Sequence, residues 1–284
     1  MSESRPQLRV PPGACDTHIH IYESRFPVVP GGIAPREEAP VSAYRNVMAR
    51  LGLERVILVQ PSAYGFDNSC LLEALRSLGD VARGVATVGP DTTDDELQRL
   101  TDAGVRGARF FMLPGGSTRW EWLETVASRV QEFGWHIQMQ CDGRLLPDHA
   151  AVLKRLSGTL VIDHVGKFLE PVTTEHPGFR VILDLLAGGR CWVKLAAPYE
   201  TSKMGPPLYS DTGALAKALV RAAPDRLVWA SNWPHTSVRT NPPDDAMLLD
   251  ILQDWAPDPA VQRKILRENP AALYGFERVT QSRR

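Results

Sequence analysis

Short runs rich in β-branched residues alternate with amphipathic stretches along almost the whole chain, and this alternation constrains the fold more than any other feature. Eight strand-helix units within 284 residues predict a single (β/α)8 TIM-type barrel, regular or distorted. An open doubly wound sheet is the alternative, but no Gly-x-Gly-x-x-Gly follows the first strand. The predicted strands are 14–21, 55–60, 83–88, 105–113, 136–142, 160–165, 191–197 and 227–232.

Helical periodicity fills the segments between the strands. One predicted helix carries Leu71, Leu75 and Leu78 on a single face, and another opens with Thr93, a residue type that caps helices. Glycines follow several of these helices, as left-handed caps require. The predicted helices are 68–78, 93–103, 120–133, 148–156, 179–186, 213–222 and 244–255. We expect an N-terminal tail over 1–12, the barrel over 13–277 and a C-terminal tail over 278–284.

Charge and cysteine usage narrow the class of partner. The formal net charge of −1 gives no reason to expect a nucleic acid or a membrane surface as a partner. No apolar run reaches the ~18 residues that a membrane span needs. The cysteines are far apart and form no Cys-x-x-Cys, which is typical of reduced thiols in a cytoplasmic protein. We therefore expect a cytoplasmic enzyme with a small-molecule substrate, and a homo-oligomer stays open.

Two histidines stand two residues apart in the first predicted strand. His18 and His20 project from one face of a strand, and Cys15, Thr17 and Ile19 from the other. Two converging imidazoles can form half of a metal site or a catalytic pair; the alternative is a solvated edge strand. The apolar neighbours are typical of a buried strand, which favours the functional interpretation.

Polar side chains accumulate where the predicted strands end. An unpaired buried polar group costs about 1–3 kcal/mol, so their concentration at one end of a barrel indicates an active site rather than a stabilising core. His136 begins its strand and is expected at the opposite end. The polar residues at or just after the strand ends are His18, His20, Gln60, Tyr64, Arg109, Gln140, Asp142, Asp163, His164, Lys194, Asn232 and His235.

Four motifs carry a family resemblance. They are Asp16-Thr17-His18-Ile19-His20, Asp163-His164-Val165-Gly166-Lys167, Asn232-Trp233-Pro234-His235 and Asn269-Pro270-Ala271-Ala272-Leu273-Tyr274-Gly275-Phe276. Together and in this order they resemble the amidohydrolase superfamily. More narrowly, the chain is similar to the branch of 2-pyrone-4,6-dicarboxylate lactonase and D-galactarolactone isomerase, from about residue 10 to residue 276.

The resemblance implies chemistry at the carbonyl of a carboxylated lactone, either a pyrone dicarboxylate or a sugar-diacid lactone. Because a guanidinium matches a carboxylate bidentately, we expect Arg109 to bind the substrate carboxylate, with Arg119 and Lys203 as helpers. The predicted catalytic residues are His18, His20, His164 and Asn232. The predicted substrate-binding residues are Gln60, Tyr64, Arg109, Arg119, Gln140, Lys194, Tyr199, Lys203 and His235.

The chain departs from the metal-dependent pattern of the superfamily at Asn232, where those members have an aspartate. Three neutral imidazoles, here His18, His20 and His164, can hold zinc. The branch that the chain resembles works without metal, however, and Lys194 and Arg109 add positive charge. We therefore expect no cofactor, with a divalent metal such as zinc on those histidines as the alternative.

The sequence leaves three hypotheses for the function open. Lactone hydrolysis is narrowly favoured because it is the commoner task of the superfamily, yet Asn232 cannot accept a proton at neutral pH as the lactonase aspartate does. Metal-independent lactone isomerisation uses a hydroxyl of the substrate as the nucleophile, which suits an amide better. The third hypothesis is an inactive binding scaffold or an engineered Asp-to-Asn variant.

Overall fold

The computed structural model describes residues 4–35, 37–238 and 240–277, so the predicted tail over 278–284 lies outside the described residues. Eight parallel strands are hydrogen-bonded in chain order, which confirms the predicted barrel. The barrel closes where the Asn232 amide donates to the His18 carbonyl (3.0 Å) and the His20 amide to the Trp233 carbonyl (2.9 Å). The strands are β1 Cys15–Ile19, β2 Arg55–Val59, β3 Ala82–Ala86, β4 Val105–Phe111, β5 His136–Gln140, β6 Leu160–Ile162, β7 Cys191–Leu195 and β8 Leu227–Trp229.

Helices form the outer layer, and their apolar faces cover the sheet. The third helix begins as predicted, because the Thr93 hydroxyl accepts a hydrogen bond from the Glu96 amide at 3.3 Å. The first helix and the last two were not among those predicted. The helices are α1 Val41–Leu51, α2 Ser69–Leu78, α3 Asp94–Asp102, α4 Leu123–Glu132, α5 Leu146–Arg155, α6 Pro177–Ala187, α7 Ser210–Ala222, α8 Asp245–Asp250, α9 Leu252–Trp255, α10 Pro259–Arg263 and α11 Asn269–Tyr274.

A bulge in β1 changes the simple alternation of faces. Asp16 pairs with Val56 but Ile19 pairs with Leu58, so β1 carries one extra residue. The Asp16 carboxylate therefore faces α1, where it accepts a hydrogen bond from the Tyr44 hydroxyl at 2.9 Å. His18 turns into the barrel on the same side as Cys15, which corrects the expectation that these two residues lie on opposite faces.

The C-terminal segment closes the floor of the barrel. Tyr274 and Phe276 pack inside the strands with Cys15, Ile57 and Val85. His136 also lies at this end, in a T-shaped contact with Tyr274 at a ring separation of 5.3 Å. The substrate side of the barrel is thus sealed from below by apolar side chains.

Further features frame the barrel. Residues 4–8, within the predicted tail, lie against α8: the Gln7 and Leu8 amides each donate to Asp250 Oδ1 at 2.8 Å. All four cysteines are free and buried, as expected for reduced thiols. Within the described part of the chain, no helix combines the length and apolar character needed to cross a bilayer.

Candidate active site

A cavity of about 320 Å³ opens at the C-terminal ends of the strands, the end where barrels of this kind carry their sites. A larger groove of about 910 Å³ lies at the opposite end, beside Phe276 and far from the strand-end polar residues. The strand-end cavity is lined by His20, Tyr22, Ile33, Ser62, Arg109, Phe111, Leu113, Pro114, Gln140, His164, Lys167, Leu169, Glu200, Asn232, Thr236 and Ser237.

Barrel closure places Asn232 beside the two histidines of β1, because the closing hydrogen bonds join residues 232–233 to the backbone of His18 and His20. Several non-glycine residues at this rim have left-handed backbone conformations. Val165 (φ 55°), Lys167 (φ 48°) and Asn232 (φ 64°) are examples. For a β-branched residue such as Val165 this conformation is strained, and such strain concentrates at functional sites.

The two histidines of β1 form a chain of neutral imidazoles. His20 Nδ1 lies 2.8 Å from the Val59 carbonyl and must carry the proton, so His20 Nε2 accepts from His18 Nε2 at 3.2 Å. His18 Nδ1 is then an acceptor, and both Lys194 Nζ and Gln138 Nε2 lie 3.4 Å from it. The hydrogen-bond network assigns these tautomers.

Burial keeps these imidazoles uncharged. Desolvation lowers the pKa of His20 to about 3, with a further contribution from Arg109, and it lowers the pKa of His164 to about 3. The pKa of His18 is also well below its usual value, because of burial first and Lys194 second. At neutral pH all three therefore act as neutral donors or acceptors and are weak bases.

A buried polar layer lies directly beneath the cavity. Lys194 Nζ donates to the Thr17 carbonyl at 2.6 Å and to Gln138 Oε1 at 2.7 Å, and it lies 3.7 Å from Asp163 Oδ1. Burial lowers the pKa of Lys194 to about 8, so the ammonium form predominates at neutral pH. Lys194 thus supports His18 from below and does not line the cavity.

Candidate metal ligands stand on both sides of the His18 ring. Among the described residues, His18, Asp163 and His164 offer ligand atoms within 4.8 Å of one another. Asp163 lies on the Nδ1 side of His18, at 3.4 Å, whereas His20 lies on the Nε2 side. The two ring nitrogens of His18 point apart, so one ion cannot bind between His18 and Asp163 and also between His18 and His20. The ammonium group of Lys194 already lies near Asp163. His18, Asp163 and His164 are thus the residues that could hold a divalent metal, and an ion there would have to compete with the ammonium of Lys194 beside Asp163.

Arg109 is the cation that β4 brings to the cavity wall. Its guanidinium donates to the Gln60 carbonyl at 2.6 Å and to Gln140 Oε1 at 3.3 Å, and it lies over the Phe111 ring at 4.9 Å. Burial lowers the pKa of Arg109, but a guanidinium stays charged at neutral pH. Arg109 and Gln140 thus form one polar wall of the cavity.

A chain of four side chains fixes the amide of Asn232. Asp245 Oδ1 lies 3.0 Å from His235 Nε2, and His235 Nδ1 lies 2.9 Å from the Tyr199 hydroxyl. The His235 tautomer that donates to Asp245 accepts at Nδ1 from Tyr199, so the Tyr199 oxygen accepts from Asn232 Nδ2 at 2.9 Å. Asn232 Nδ2 is committed to this chain, which leaves Oδ1 as the free acceptor of the amide.

Lys167 and Glu200 form an ion pair at the cavity rim that the sequence-based site set does not include. Lys167 Nζ donates to Glu200 Oε2, and each side chain is 8% exposed. Glu200 Oε1 also accepts from the Ser237 hydroxyl at 2.6 Å. Both residues lie in the loops after β6 and β7, and the presence of charged residues in these loops is the sequence signal that could have identified them.

Several predicted substrate-binding residues lie outside the cavity. The Gln60 amide donates to the Asp67 carbonyl at 2.7 Å, and the Tyr64 hydroxyl accepts from the Glu23 amide at 3.0 Å, so both brace loops. Arg119 is exposed against Trp122, and Lys203 is 63% exposed near Glu170. Of the predicted residues, the cavity brings together His20, Arg109, Gln140, His164 and Asn232, with His18, Lys194, Tyr199 and His235 directly behind them.

The fold and this strand-end site define a (β/α)8-barrel enzyme. A model of the amidohydrolase family matches residues 15–276, and the chain belongs to that family. It is 37% identical over 278 residues to the D-galactarolactone isomerase of Agrobacterium fabrum (strain C58 / ATCC 33970), covering 96% of this chain and 95% of that protein.

Two further similarities extend over nearly the whole chain. The 2-pyrone-4,6-dicarboxylate hydrolase of Comamonas testosteroni is 33% identical over 288 residues, covering 97% of this chain and 94% of that protein. An apo crystal structure of a protein from Agrobacterium tumefaciens superimposes with a TM-score of 0.93 at 36% identity, covering 98% of this chain and 99% of the other.

Proposed function

We propose that this enzyme acts at the carbonyl of a carboxylated lactone and rearranges it by intramolecular attack. The names of the two relatives support lactone chemistry, since one is a lactone isomerase and the other a hydrolase of a pyrone dicarboxylate. The cavity adds a buried cation, Arg109, suited to a substrate carboxylate. His164 also lines the cavity and offers a neutral imidazole to a polar group of the substrate.

Asn232 carries the choice of isomerisation over hydrolysis. Its Nδ2 is held by Tyr199, so its Oδ1 can accept a hydrogen bond from a substrate hydroxyl and orient it toward the carbonyl. An amide cannot remove a proton from water at neutral pH. A nucleophile within the substrate has an effective concentration of up to ~10⁵–10⁸ M and reacts without an activated water.

Hydrolysis remains the second candidate, because one carboxylate, that of Glu200, lines the cavity and could activate water. The identity to the pyrone-dicarboxylate hydrolase is only slightly below that to the isomerase. The protein alone must, however, position a water molecule for attack on the carbonyl. A hydroxyl of the substrate is already held near the carbonyl by the covalent bonds of the substrate.

We further propose that the reaction needs no metal ion and takes place in the cytoplasm. The absence of a strand-eight carboxylate and the position of Lys194 beside His18 and Asp163 support a metal-free site. The four free, buried cysteines fit a reducing compartment.

Product analysis by NMR tests this function. The protein is incubated with a panel of carboxylated δ-lactones, with and without a hydroxyl group that can attack the carbonyl. We expect hydroxylated members to give a ring-contracted lactone, and members without that hydroxyl to persist. Ring-opened acids as the first product would favour hydrolysis, and an unchanged panel would favour an inactive scaffold.

A further inference from the structure

Glu200 is the sole carboxylate among the described residues that line the strand-end cavity. Resting on the proposed function, we propose that Glu200 is the proton carrier of the isomerisation. It takes the proton from the attacking hydroxyl and returns it to the ring oxygen that leaves.

Three donors hold the Glu200 carboxylate in place. Lys167 donates to Oε2, while the Ser237 hydroxyl (2.6 Å) and Asn232 Nδ2 (3.4 Å) donate to Oε1. The residue lies on the turn Pro198–Glu200 directly after β7, and the Glu200 amide donates to the Ala197 carbonyl at 3.1 Å. A rigid strand-end turn therefore presents the carboxylate beside Asn232.

The contact with Asn232 joins the two functional groups. Asn232 Nδ2 faces both Glu200 and Tyr199, so the amide and the carboxylate are neighbours in the cavity lining. A substrate hydroxyl held at this end of the cavity comes within reach of Glu200. The imidazoles on the wall are poorer acceptors, because burial lowers the pKa of His20 and of His164 to about 3.

One carboxylate is sufficient for the whole reaction. The hydroxyl O–H bond breaks as its oxygen bonds to the carbonyl carbon, and Glu200 takes the proton, giving a tetrahedral oxyanion. The carbonyl re-forms, the bond from the carbonyl carbon to the original ring oxygen breaks, and that oxygen recovers the proton from Glu200. No water, metal or co-reactant is consumed, and the enzyme ends in its starting state.

The isosteric variant Glu200→Gln tests this role, with Glu124→Gln as the matched control. Glu124 also forms an ion pair, with Arg155 at 2.7 Å, but it lies on the outer face of α4 and is 51% exposed. We expect Glu200→Gln to lower kcat about 10²–10⁴-fold, the usual range for losing an acid-base group, with KM changed only a few-fold. Glu124→Gln should retain wild-type kcat.

Formate rescue separates proton transfer from a structural role. In Glu200→Ala, added formate can occupy the vacated space and restore a carboxylate, so the rate should rise with formate concentration. If Glu200→Gln is poorly folded, the pair variant Lys167→Met/Glu200→Gln, which leaves no unpaired charge, gives the same kcat comparison.

The possible failures are distinguishable. Wild-type protein that isomerises a lactone, combined with a Glu200→Gln variant within about threefold of its kcat, would overturn this inference alone. Glu200→Ala that formate does not accelerate would also count against proton transfer by Glu200. Wild-type protein that acts on no lactone of the panel would overturn the proposed function and this inference together.

Discussion

Asn232 is the residue on which we expect the reaction outcome to depend most. Its amide occupies the cavity between the histidines of β1 and the Lys167–Glu200 pair, with Nδ2 bonded to the Tyr199 hydroxyl at 2.9 Å. An amide orients a hydroxyl, whereas a carboxylate at the same place would deprotonate water. Substitution of Asn232 is therefore a direct way to distinguish the two candidate reactions.

The substitution Asn232→Asp should open a hydrolytic side reaction. A carboxylate at this position can activate water, and general base catalysis contributes about 10²–10⁴-fold, which sets the expected rise in ring-opened acid. Isomerisation should stay flat or fall, because the hydroxyl-orienting amide is lost. NMR quantification of both products measures the ratio; a large gain in hydrolysis without any isomerase activity in the wild type would favour a native hydrolase.

Arg109 should set the affinity for the substrate carboxylate. Replacing it with lysine removes the bidentate fork, and we expect KM to rise about tenfold or more, with a smaller effect on kcat. Arg99→Lys, an exposed substitution on α3, is the control. Equal turnover of a lactone lacking the carboxylate would show that Arg109 has another role.

At the scale of elements, two strand ends and one helix start cooperate through one hydrogen-bond chain. Asp245 at the start of α8, His235 after β8 and Tyr199 after β7 act in series on Asn232. The side chains behind the cavity thus determine which atom of the amide faces the substrate. We therefore expect His235 and Tyr199 to affect the reaction although neither lines the cavity.

We expect Tyr199→Phe to lower kcat about tenfold, because the loss of one hydrogen bond worth about 1–1.5 kcal/mol frees the amide to rotate. The same substitution in an Asn232→Ala background should have little further effect, since the two residues act in one chain. Tyr64→Phe serves as the control, because the Tyr64 hydroxyl bonds to Glu23 in a loop outside the cavity. Additive effects of the two substitutions would contradict the positioning role of Tyr199.

The elements were predictable from the sequence to a greater extent than the site. All eight strands follow from apolar runs between helical segments, because parallel strands are buried on both faces. The β1 bulge left no pattern in the sequence, yet it determines that His18 and Cys15 both face inward. The role of Tyr64 depends on a long-range contact with Glu23, and the Gln60 side chain turns to carbonyls of the loop that follows it; strand periodicity encodes neither.

Lys167 and Glu200 show why the remaining site residues were missed. They occupy irregular turns rather than strands, and the left-handed backbone of Lys167 cannot be inferred from periodicity. Conversely, Arg119 and Lys203 are charged residues near the ends of strand-end loops, but both are exposed to solvent. The charge of a residue in the sequence therefore does not show whether its side chain lines the cavity or lies on a surface loop.

At the scale of the whole molecule, buried neutral histidines link stability to pH. Burial lowers the pKa of His20, His136 and His164 to about 3, from the ordinary histidine value of 6.5. Between these values the unfolded chain binds protons that the folded protein does not, so stability is lost as pH falls from 6.5 towards 3. Asp16, whose pKa burial raises to about 6, acts in the opposite direction.

Denaturant unfolding at several pH values should show this dependence. Each histidine contributes up to about 1.4 kcal/mol per pH unit within the window, partly offset by Asp16. His136 lies at the barrel floor, away from the cavity. The substitution His136→Leu should therefore reduce the change in the free energy of unfolding per pH unit by about the contribution of one histidine. A free energy of unfolding that is constant between pH 6.5 and pH 4.5 would contradict neutral burial of these groups.

The most direct test of a metal-free, intramolecular lactone isomerisation is the fate of oxygen. Exhaustively chelated protein, checked by elemental analysis, is incubated with a hydroxylated, carboxylated δ-lactone in ¹⁸O-water, and the product is examined by NMR and mass spectrometry. We predict a ring-contracted lactone that carries no ¹⁸O, formed at the same rate as before chelation. A ring-opened acid with one ¹⁸O, or activity that disappears with chelation and returns with zinc, would contradict the account.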